Sequence, residues 1–357
     1  DESAFEKSIR DTEGEYGGLG MVITMKDNRL FVVKTMDDSP AKEAGVKADD
    51  SFLQVNGKEI KGLQIQELAN LLRGYPETQV TLTLYRSSEK KEYTHTLTRR
   101  IILVNTVEYE PLENQIGYLK ISSFSKLTEK QLKKYLKQAK LEGVTGFILD
   151  LRGNPGGLLN QSVKVASHFL FKGQMVVYTQ GRSKDDYREY RSLYKESLHK
   201  MPVVVLINQY SASASEIVAG ALRESGNALL IGENSYGKGS VQTIFRISDG
   251  SGVRLTTSKY FTPAGADITK NGIVPEINII NDLIKEEEST VIKKSSNSET
   301  LLSLKASSLK KFFEKQGLNK KHDATVELAR RILKNSHTAS KKRSMEKARE
   351  IAASINY

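Results

Sequence analysis

Ser213 is the residue around which chemistry can be built. It lies in Asn208-Gln209-Tyr210-Ser211-Ala212-Ser213-Ala214-Ser215-Glu216-Ile217, a run of small residues between the apolar stretch VVVLI and the helical pattern EIVAGALRE. Small side chains there leave room for a substrate backbone. A serine at a helix start presents its hydroxyl, and the N–H of the next residue, Ala214, points where a developing oxyanion needs a donor. Ser213-Ala-Ser-Glu216 also fits an N-terminal capping box, in which the serine only satisfies backbone N–H groups. The lysine 25 positions on, Lys238 between Gly237 and Gly239, separates the two readings. A neutral amine can take the serine's proton with no histidine involved. Because a free lysine has a pKa near ~10.4, burial in a closed site is expected to depress that of Lys238. Ser-x-x-Lys coincidences such as Ser87 with Lys90 or Ser192 with Lys195 recur in this serine- and lysine-rich chain and carry little weight.

Gly232-Glu-Asn-Ser-Tyr-Gly237-Lys238 is also a near match to a phosphate-binding P-loop. Gly239 stands where a Ser or Thr would hold magnesium, and VQTIFRI alternates like a strand where a P-loop opens a helix. Both features oppose a nucleotide hydrolase. Asp150-Leu-Arg152-Gly153-Asn154-Pro155-Gly156-Gly157 supplies a third element, since its glycines let backbone N–H groups approach a substrate carbonyl from the other side. Gly156 or Gly157 would complete the oxyanion hole with Ala214. Taken alone, the same residues read as an Asp150–Arg152 pair and a glycine turn from strand to helix.

Composition narrows the remaining chemistry. With no cysteine there is no disulfide, thiolate nucleophile or cysteine-metal site. The five histidines, His95, His168, His199, His322 and His337, have no metal-ligand spacing. Neither a metal nor another cofactor is therefore expected. The longest apolar run, Val203 to Ile207, is far short of the ~18 residues of a membrane span. The chain starts at Asp1 without a basic region or apolar signal core, which leaves location open. Of the net charge of +11, residues 281–357 contribute +7, with 17 basic against 10 acidic groups. Such a tail has the charge to touch an anionic membrane or cell-wall surface weakly. Its aromatics are confined to Phe312, Phe313 and Tyr357, so there is no base-stacking stripe and no nucleic acid is expected as partner. Solvated helix faces are the plainer reading of its charges.

The elements that must position these residues fall into segments. Residues 16–100 alternate in short runs, MVITM, RLFVV, SFLQV, VTLTLY and YTHTLT, separated by turn signals that include Asn56-Gly57. Their longer helix, QELANLLR, is expected to close at Gly74. Residues 101–280 repeat strand, turn and helix, with GFILDL running through the glycine turn into LLNQSVKVASHFLF, and VVVLI through Ser213 into EIVAGALRE. Residues 281–357 read as a linker followed by basic helices, with Val326, Ala329 and Leu333 as one apolar stripe. Residues 1–15 read as the remnant of an N-terminal helical segment.

Tyr16-Gly17-Gly18-Leu19-Gly20 precedes the strand MVITM, in a module whose helix offers Ile65, Leu68, Leu71 and Leu72. That order resembles a PDZ domain. The resemblance implies that N–H groups at Gly18, Leu19 and Gly20 hold a peptide's terminal carboxylate. The peptide would add as a strand beside Met21 and Ile23 and drop apolar side chains toward Leu68 and Leu72. An ordinary glycine turn is the plain alternative for the loop, as is a C-terminal helix charge for Arg73.

YGGLG, IGYLKISSF, DLRGNPGG, SASASEI, SYGKGSVQ and FTPAGADITKNGIVPEI, in this order over residues 16–280, together resemble the carboxyl-terminal processing (tail-specific) proteases, with a fainter echo in HDATVELARRILK. The resemblance implies a multidomain α+β protein, a PDZ module before a crotonase- and ClpP-like ββα core. It also implies a serine–lysine dyad, with Ser213 as nucleophile, Lys238 as base and Gln242 as a supporting side chain. Protein or peptide substrates with free apolar C-termini, a homo-oligomer, and an exported, periplasmic or cell-envelope location follow as expectations. Two other readings compete. One is a PDZ scaffold or chaperone on a catalytically silent core, which a peptide-cleavage assay separates. The other is an acyl-CoA enzyme on the same core, which gives no reason for a PDZ module and a serine–lysine pair.

Overall fold

The computed structural model describes residues 15–280, 302–319, 322–334 and 341–355. Residues 1–14 and most of the linker expected after residue 281 lie outside the described residues. The chain divides into two compact units, which meet in sequence between Val104 and Asn105.

In the first unit, β1 (Glu15–Gly18) pairs antiparallel with β8 (Arg100–Leu103), which carries the unit past residue 100. A six-stranded sheet runs in the order β2 (Met21–Lys26), β3 (Arg29–Thr35), β4 (Ser51–Val55), β6 (Gln79–Arg86) and β7 (Lys91–Thr98), with β5 (Lys58–Glu59) paired to β4. Asn56-Gly57 forms the tight turn between β4 and β5, and Asp27-Asn28, with φ of 48° and 58°, makes the equivalent turn between β2 and β3. Helix α1 (Pro40–Glu43) is capped by Ser39, whose Oγ accepts from the Lys42 N–H. Helix α2 (Ile65–Leu72) ends by a device the sequence did not suggest. The buried Arg99 guanidinium donates to the carbonyls of Leu71 (2.9 Å) and Leu72 (3.0 Å), so a side chain from β7's end satisfies the helix terminus in place of a left-handed glycine.

The second unit is built on a seven-stranded sheet. Parallel strands follow the order β19 (Leu302–Lys305), β18 (Ile277–Ile280), β15 (Ala228–Gly232), β14 (Val203–Ile207), β11 (Gly146–Asp150) and β10 (Ile116–Ile121), and β9 (Val107–Leu112) closes the edge antiparallel. Its central strands β11, β14 and β15 are buried at every position and, Asp150 apart, carry no polar side chain, because both faces are covered. Phe147, Leu149, Val203, Val205 and Leu230 face one core, with α3 (Thr128–Leu141), α4 (Leu159–Ser167) and α5 (Ala214–Glu224). Ile148, Val204, Leu206, Leu229 and Ile231 face the other.

That second core belongs to the carboxyl-terminal residues. Helices α7 (Ala306–Lys315), α8 (Ala324–Leu333) and α9 (Lys341–Ile355) bring Leu309, Phe313, Leu328, Ile332, Ala348 and Ala352 onto it, while β19 extends the sheet. The described residues from 302 to 355 are therefore part of the folded core: the apolar stripe of Val326, Ala329 and Leu333 expected from the sequence packs on a sheet face, and the solvated charges lie on the other side. The basic side chains lie on the outside of helices whose apolar stripes cover roughly one face of the sheet. A smaller antiparallel sheet, β13 (Arg188–Arg191), β12 (Met175–Gly181), β17 (Gly252–Phe261) and β16 (Ser240–Arg246), completes the unit, with α6 (Ile268–Asn271) after β17. Because β16 follows Lys238 directly, the P-loop reading is excluded. Among the described residues no helix is long and apolar enough to cross a membrane.

Candidate active site

Ser213 is the N-cap of α5, with φ 54° and ψ −111°. This is a conformation that L-residues rarely adopt; it costs on the order of 1–3 kcal/mol and persists only where the surroundings impose it. They do so from three sides. The Ser213 N–H donates to Glu216 Oε2 at 2.7 Å. The preceding Ala212 N–H donates to the Asn154 carbonyl at 3.0 Å. Gly156 lies so close that a Cβ there would sit 2.8 Å from Ser213 Cβ and 2.7 Å from the Ala212 carbonyl. The strand-to-helix turn and the glycine turn after β11 thus lock each other.

Three serines cluster at this turn, and their hydroxyls are not equivalent. Ser211 Oγ donates to the Leu151 carbonyl (2.9 Å) and Ser215 Oγ to the Asn154 carbonyl (3.0 Å), both fully buried. They tie the two turns together. Ser213 is only half-buried, and its side chain lies near the phenol of Tyr260, a buried residue at the end of β17. Burial pushes the Tyr260 phenol above its ordinary value, and the neighbouring Ser213 hydroxyl partly offsets this.

Glu216 does more than cap a helix. Its fully buried carboxylate accepts from the Ser213 N–H, the Ser235 hydroxyl (2.6 Å), the Gly237 N–H (2.6 Å) and the Lys238 N–H (3.0 Å). One side chain therefore fixes the backbone of the serine turn and of the lysine loop against each other. Glu216→Gln replaces an acceptor oxygen by an amide that faces N–H groups. It is expected to cost about 1–3 kcal/mol of stability and to lower peptide cleavage at least tenfold, read by denaturant unfolding beside kcat. Unchanged kcat would mean that the two backbones are held otherwise.

The structure brings the backbones of Ser213 and Lys238 together but not their side chains. Lys238 faces solvent, beside the 68% exposed Tyr236, and its ammonium has no partner among the described residues. The burial expected from the sequence is absent, because the loop runs over the surface before entering β16. Gln242 is likewise exposed on β16, next to an irregularity in the pairing with β17, and no hydrogen bond joins it to Lys238 or Ser213.

The two candidate oxyanion glycines are distinguished by their partners. The Gly156 N–H is committed to Asn154 Oδ1 at 2.9 Å. Those of Gly157 and Ala214 take no partner among the described residues, which leaves them as donors. Gly157 has φ 142° and passes so near Phe124 that a Cβ would meet its carbonyl at 2.2 Å. Asp150 and Arg152 pair as expected, with Nη2 to Oδ2 at 2.5 Å.

Sequence reasoning missed the organiser of this turn. Asn154 is fully buried, donates through Nδ2 to the Ile121 carbonyl (2.8 Å) and accepts at Oδ1 from Gly156. Its place between the glycines of DLRGNPGG was the available signal. Nothing in the sequence marked Tyr260, which lies 47 positions from Ser213.

In the first unit, β2 is an edge strand, paired on one side by β3 and open on the other. Met21 and Ile23 are half-buried along it, and the Gly17 carbonyl accepts from the Gly74 N–H at 3.0 Å, pinning the loop of Gly18, Leu19 and Gly20 to the end of α2. Leu19, Leu68 and Leu72 belong to the module's core. Leu68 has no exposed surface, so Ile65, 40% exposed on the same helical stripe, presents the apolar wall that the sequence assigned to Leu68.

Residues 115–279 match the family described as "Peptidase family S41", and residues 31–86 match "PDZ domain". A carboxy-terminal-processing protease of Bartonella bacilliformis is 43% identical over 276 residues, which are 76% of this chain and 63% of that protein. The carboxy-terminal processing protease CtpA of Bacillus subtilis is 40% identical over 272 residues, 76% of this chain and 58% of that one. The solved photosystem II D1 C-terminal processing protease is 31% identical, with a TM-score of 0.48 over 78% of this chain and 76% of that chain. The chain spans 63% and 58% of the lengths of those two curated relatives. From the match of residues 115–279 and 31–86 to these two families, and from the 43% and 40% identity to carboxy-terminal processing proteases, the chain belongs to peptidase family S41 and carries a PDZ domain.

Proposed function

We propose that the chain is a serine endopeptidase that takes the free apolar C-terminus of a protein substrate on its PDZ domain and cleaves with Ser213 and Lys238. One observation carries the reading. Of the three clustered serines, only Ser213 has a hydroxyl not tied into the fold by a backbone carbonyl, and it stands next to the uncommitted N–H of Ala214 and packs against Gly156, whose neighbour Gly157 keeps a second uncommitted N–H. Ser213 Oγ attacks the scissile carbonyl carbon while neutral Lys238 Nζ takes its proton. The carbonyl oxygen becomes an oxyanion held by Ala214 and Gly157 N–H. Collapse of the tetrahedral intermediate expels the amine, which receives the proton from Lys238, and water then hydrolyses the acyl-enzyme by the same steps reversed in role. Gln242, four residues past Lys238, supports the lysine once the loop is covered.

Exposure of Lys238 gives the scaffold reading its one supporting observation, since the side chain offered as base stands in solvent apart from the Ser213 hydroxyl. Cleavage of a peptide ending in a free apolar residue decides between them. A homo-oligomer, an exported, periplasmic or cell-envelope location and weak attachment to anionic surfaces by the outer basic faces of α7–α9 belong to the same proposal and rest on the resemblance and the charge.

Tail recognition is tested with the Ser213→Ala chain, which binds without cutting. A peptide with a free apolar C-terminus is expected to bind roughly tenfold or more tighter than its amidated form, the worth of about 1.5–3 kcal/mol for hydrogen bonds to a charged group. A peptide ending in Asp is expected to be weakened comparably. Equal affinity for all three would remove the PDZ role.

A further inference from the structure

We propose that Asp323, in the carboxyl-terminal helices, is a positioning residue for the turn that carries the oxyanion donor, acting through Arg152. The inference rests on the catalytic reading above and extends it to a region outside the matched peptidase segment of residues 115–279.

The two oxygens of the Asp323 carboxylate have separate tasks. Oδ1 caps α8, accepting from the N–H groups of Thr325 (2.8 Å) and Val326 (3.2 Å). Oδ2 reaches out of the helix to Arg152 Nη1 at 2.7 Å. The other edge of the same guanidinium lies on Asp150, through Nε at 3.0 and 3.1 Å and Nη2 at 2.5 Å, and Asp150 also accepts from the Tyr118 hydroxyl at 2.8 Å. Arg152 is thus held at both edges, by the end of β11 and by α8. It is the last residue before the glycine turn, and Gly153, next in the chain, is tied to Asn208 Oδ1 at 2.9 Å. The turn is therefore anchored at its entry by Asp323 and in its interior by Asn154.

Helix α8 is a firm anchor. Leu328, Ala329, Ile332 and Leu333 are buried in the second core, and Arg330 bridges to Glu113 at 3.2 Å. Burial works against the charge on Arg152, and the two carboxylates outweigh it, raising the guanidinium above its ordinary value. A guanidinium fixed by two carboxylates has little freedom, and its backbone sets where Gly157 presents its N–H. Loosening one edge is expected to blunt oxyanion stabilisation, a transition-state effect, without touching the residues that bind the peptide.

Asp323→Asn isolates the ion pair, because asparagine caps helices as well as aspartate but carries no charge. With the full chain and a short peptide, kcat is expected to fall about fivefold or more with KM unchanged, a fraction of the ~100-fold that a 1 Å misplacement can cost. Amide exchange over residues 151–158 is expected to speed up while the unfolding midpoint stays put. A kcat within twofold of wild type overturns the inference, as does a lowered midpoint with unchanged kcat, which would make Asp323 a cap alone. If the wild-type chain cleaves no peptide, the catalytic reading fails separately, and the exchange arm decides the anchoring: faster exchange supports it, unchanged exchange overturns it.

Discussion

Ser213→Ala is expected to reduce peptide cleavage to background, a loss of at least roughly 10⁴-fold in kcat, as removal of a nucleophile does in other serine peptidases. The fold is expected to survive. Alanine keeps the Cβ that packs against Gly156 and the N–H that Glu216 accepts, so the strained backbone at φ 54° has the same supports. If the hydroxyl served only as a cap, its removal would appear as about 0.5–2 kcal/mol of stability with activity intact. Ser211→Ala and Ser215→Ala give the contrast. Their hydroxyls are structural bonds to the Leu151 and Asn154 carbonyls, so each variant is expected to lose about 1 kcal/mol of stability yet keep activity within roughly tenfold. The test is kcat and denaturant unfolding measured on all three variants. Wild-type-like cleavage by Ser213→Ala would remove the serine from the chemistry.

What the sequence made legible and what it hid divide along contact distance. Strands such as Val203–Ile207 are readable because a run apolar at every position has to be covered on both faces, and the glycine turns are readable because they interrupt such runs. Glu216 was read as half of a capping box, a contact three residues long, while its partners at Ser235, Gly237 and Lys238 lie 19 to 22 positions away and leave no periodic trace. The carboxyl-terminal residues were hidden by their charge. Leu302-Ser-Leu-Lys305 is too short and too polar to announce a strand, and it becomes one by pairing with β18. The stripe of Val326, Ala329 and Leu333 was visible, but the sheet face it covers was not, since both faces of an all-apolar strand look alike in sequence. Arg99 illustrates the same limit in the first unit: an arginine between two strands says nothing of a helix end 27 positions earlier.

Lys238→Arg is expected to be inactive at every pH, although it keeps charge and bulk, while Lys238→His retains a trace. The amine has to be neutral when it takes the Ser213 proton, and a guanidinium does not give up its proton in the accessible range. Wild-type activity should therefore rise with pH and level off. The structure adds a condition that the sequence did not contain. Lys238 faces solvent, with its backbone fixed by Glu216, so on the proposed mechanism the cover over its side chain arrives with the substrate. A polypeptide laid between the lysine loop and the serine turn would exclude water from both. The rise in kcat, which reports the enzyme with substrate bound, is then expected at lower pH than the rise in kcat/KM, which reports the free enzyme. The measurement is the pair of pH profiles for a short peptide, taken where unfolding shows both variants intact. Coincident limbs would mean that substrate does not cover the lysine, and an active Lys238→Arg enzyme would place the general base elsewhere.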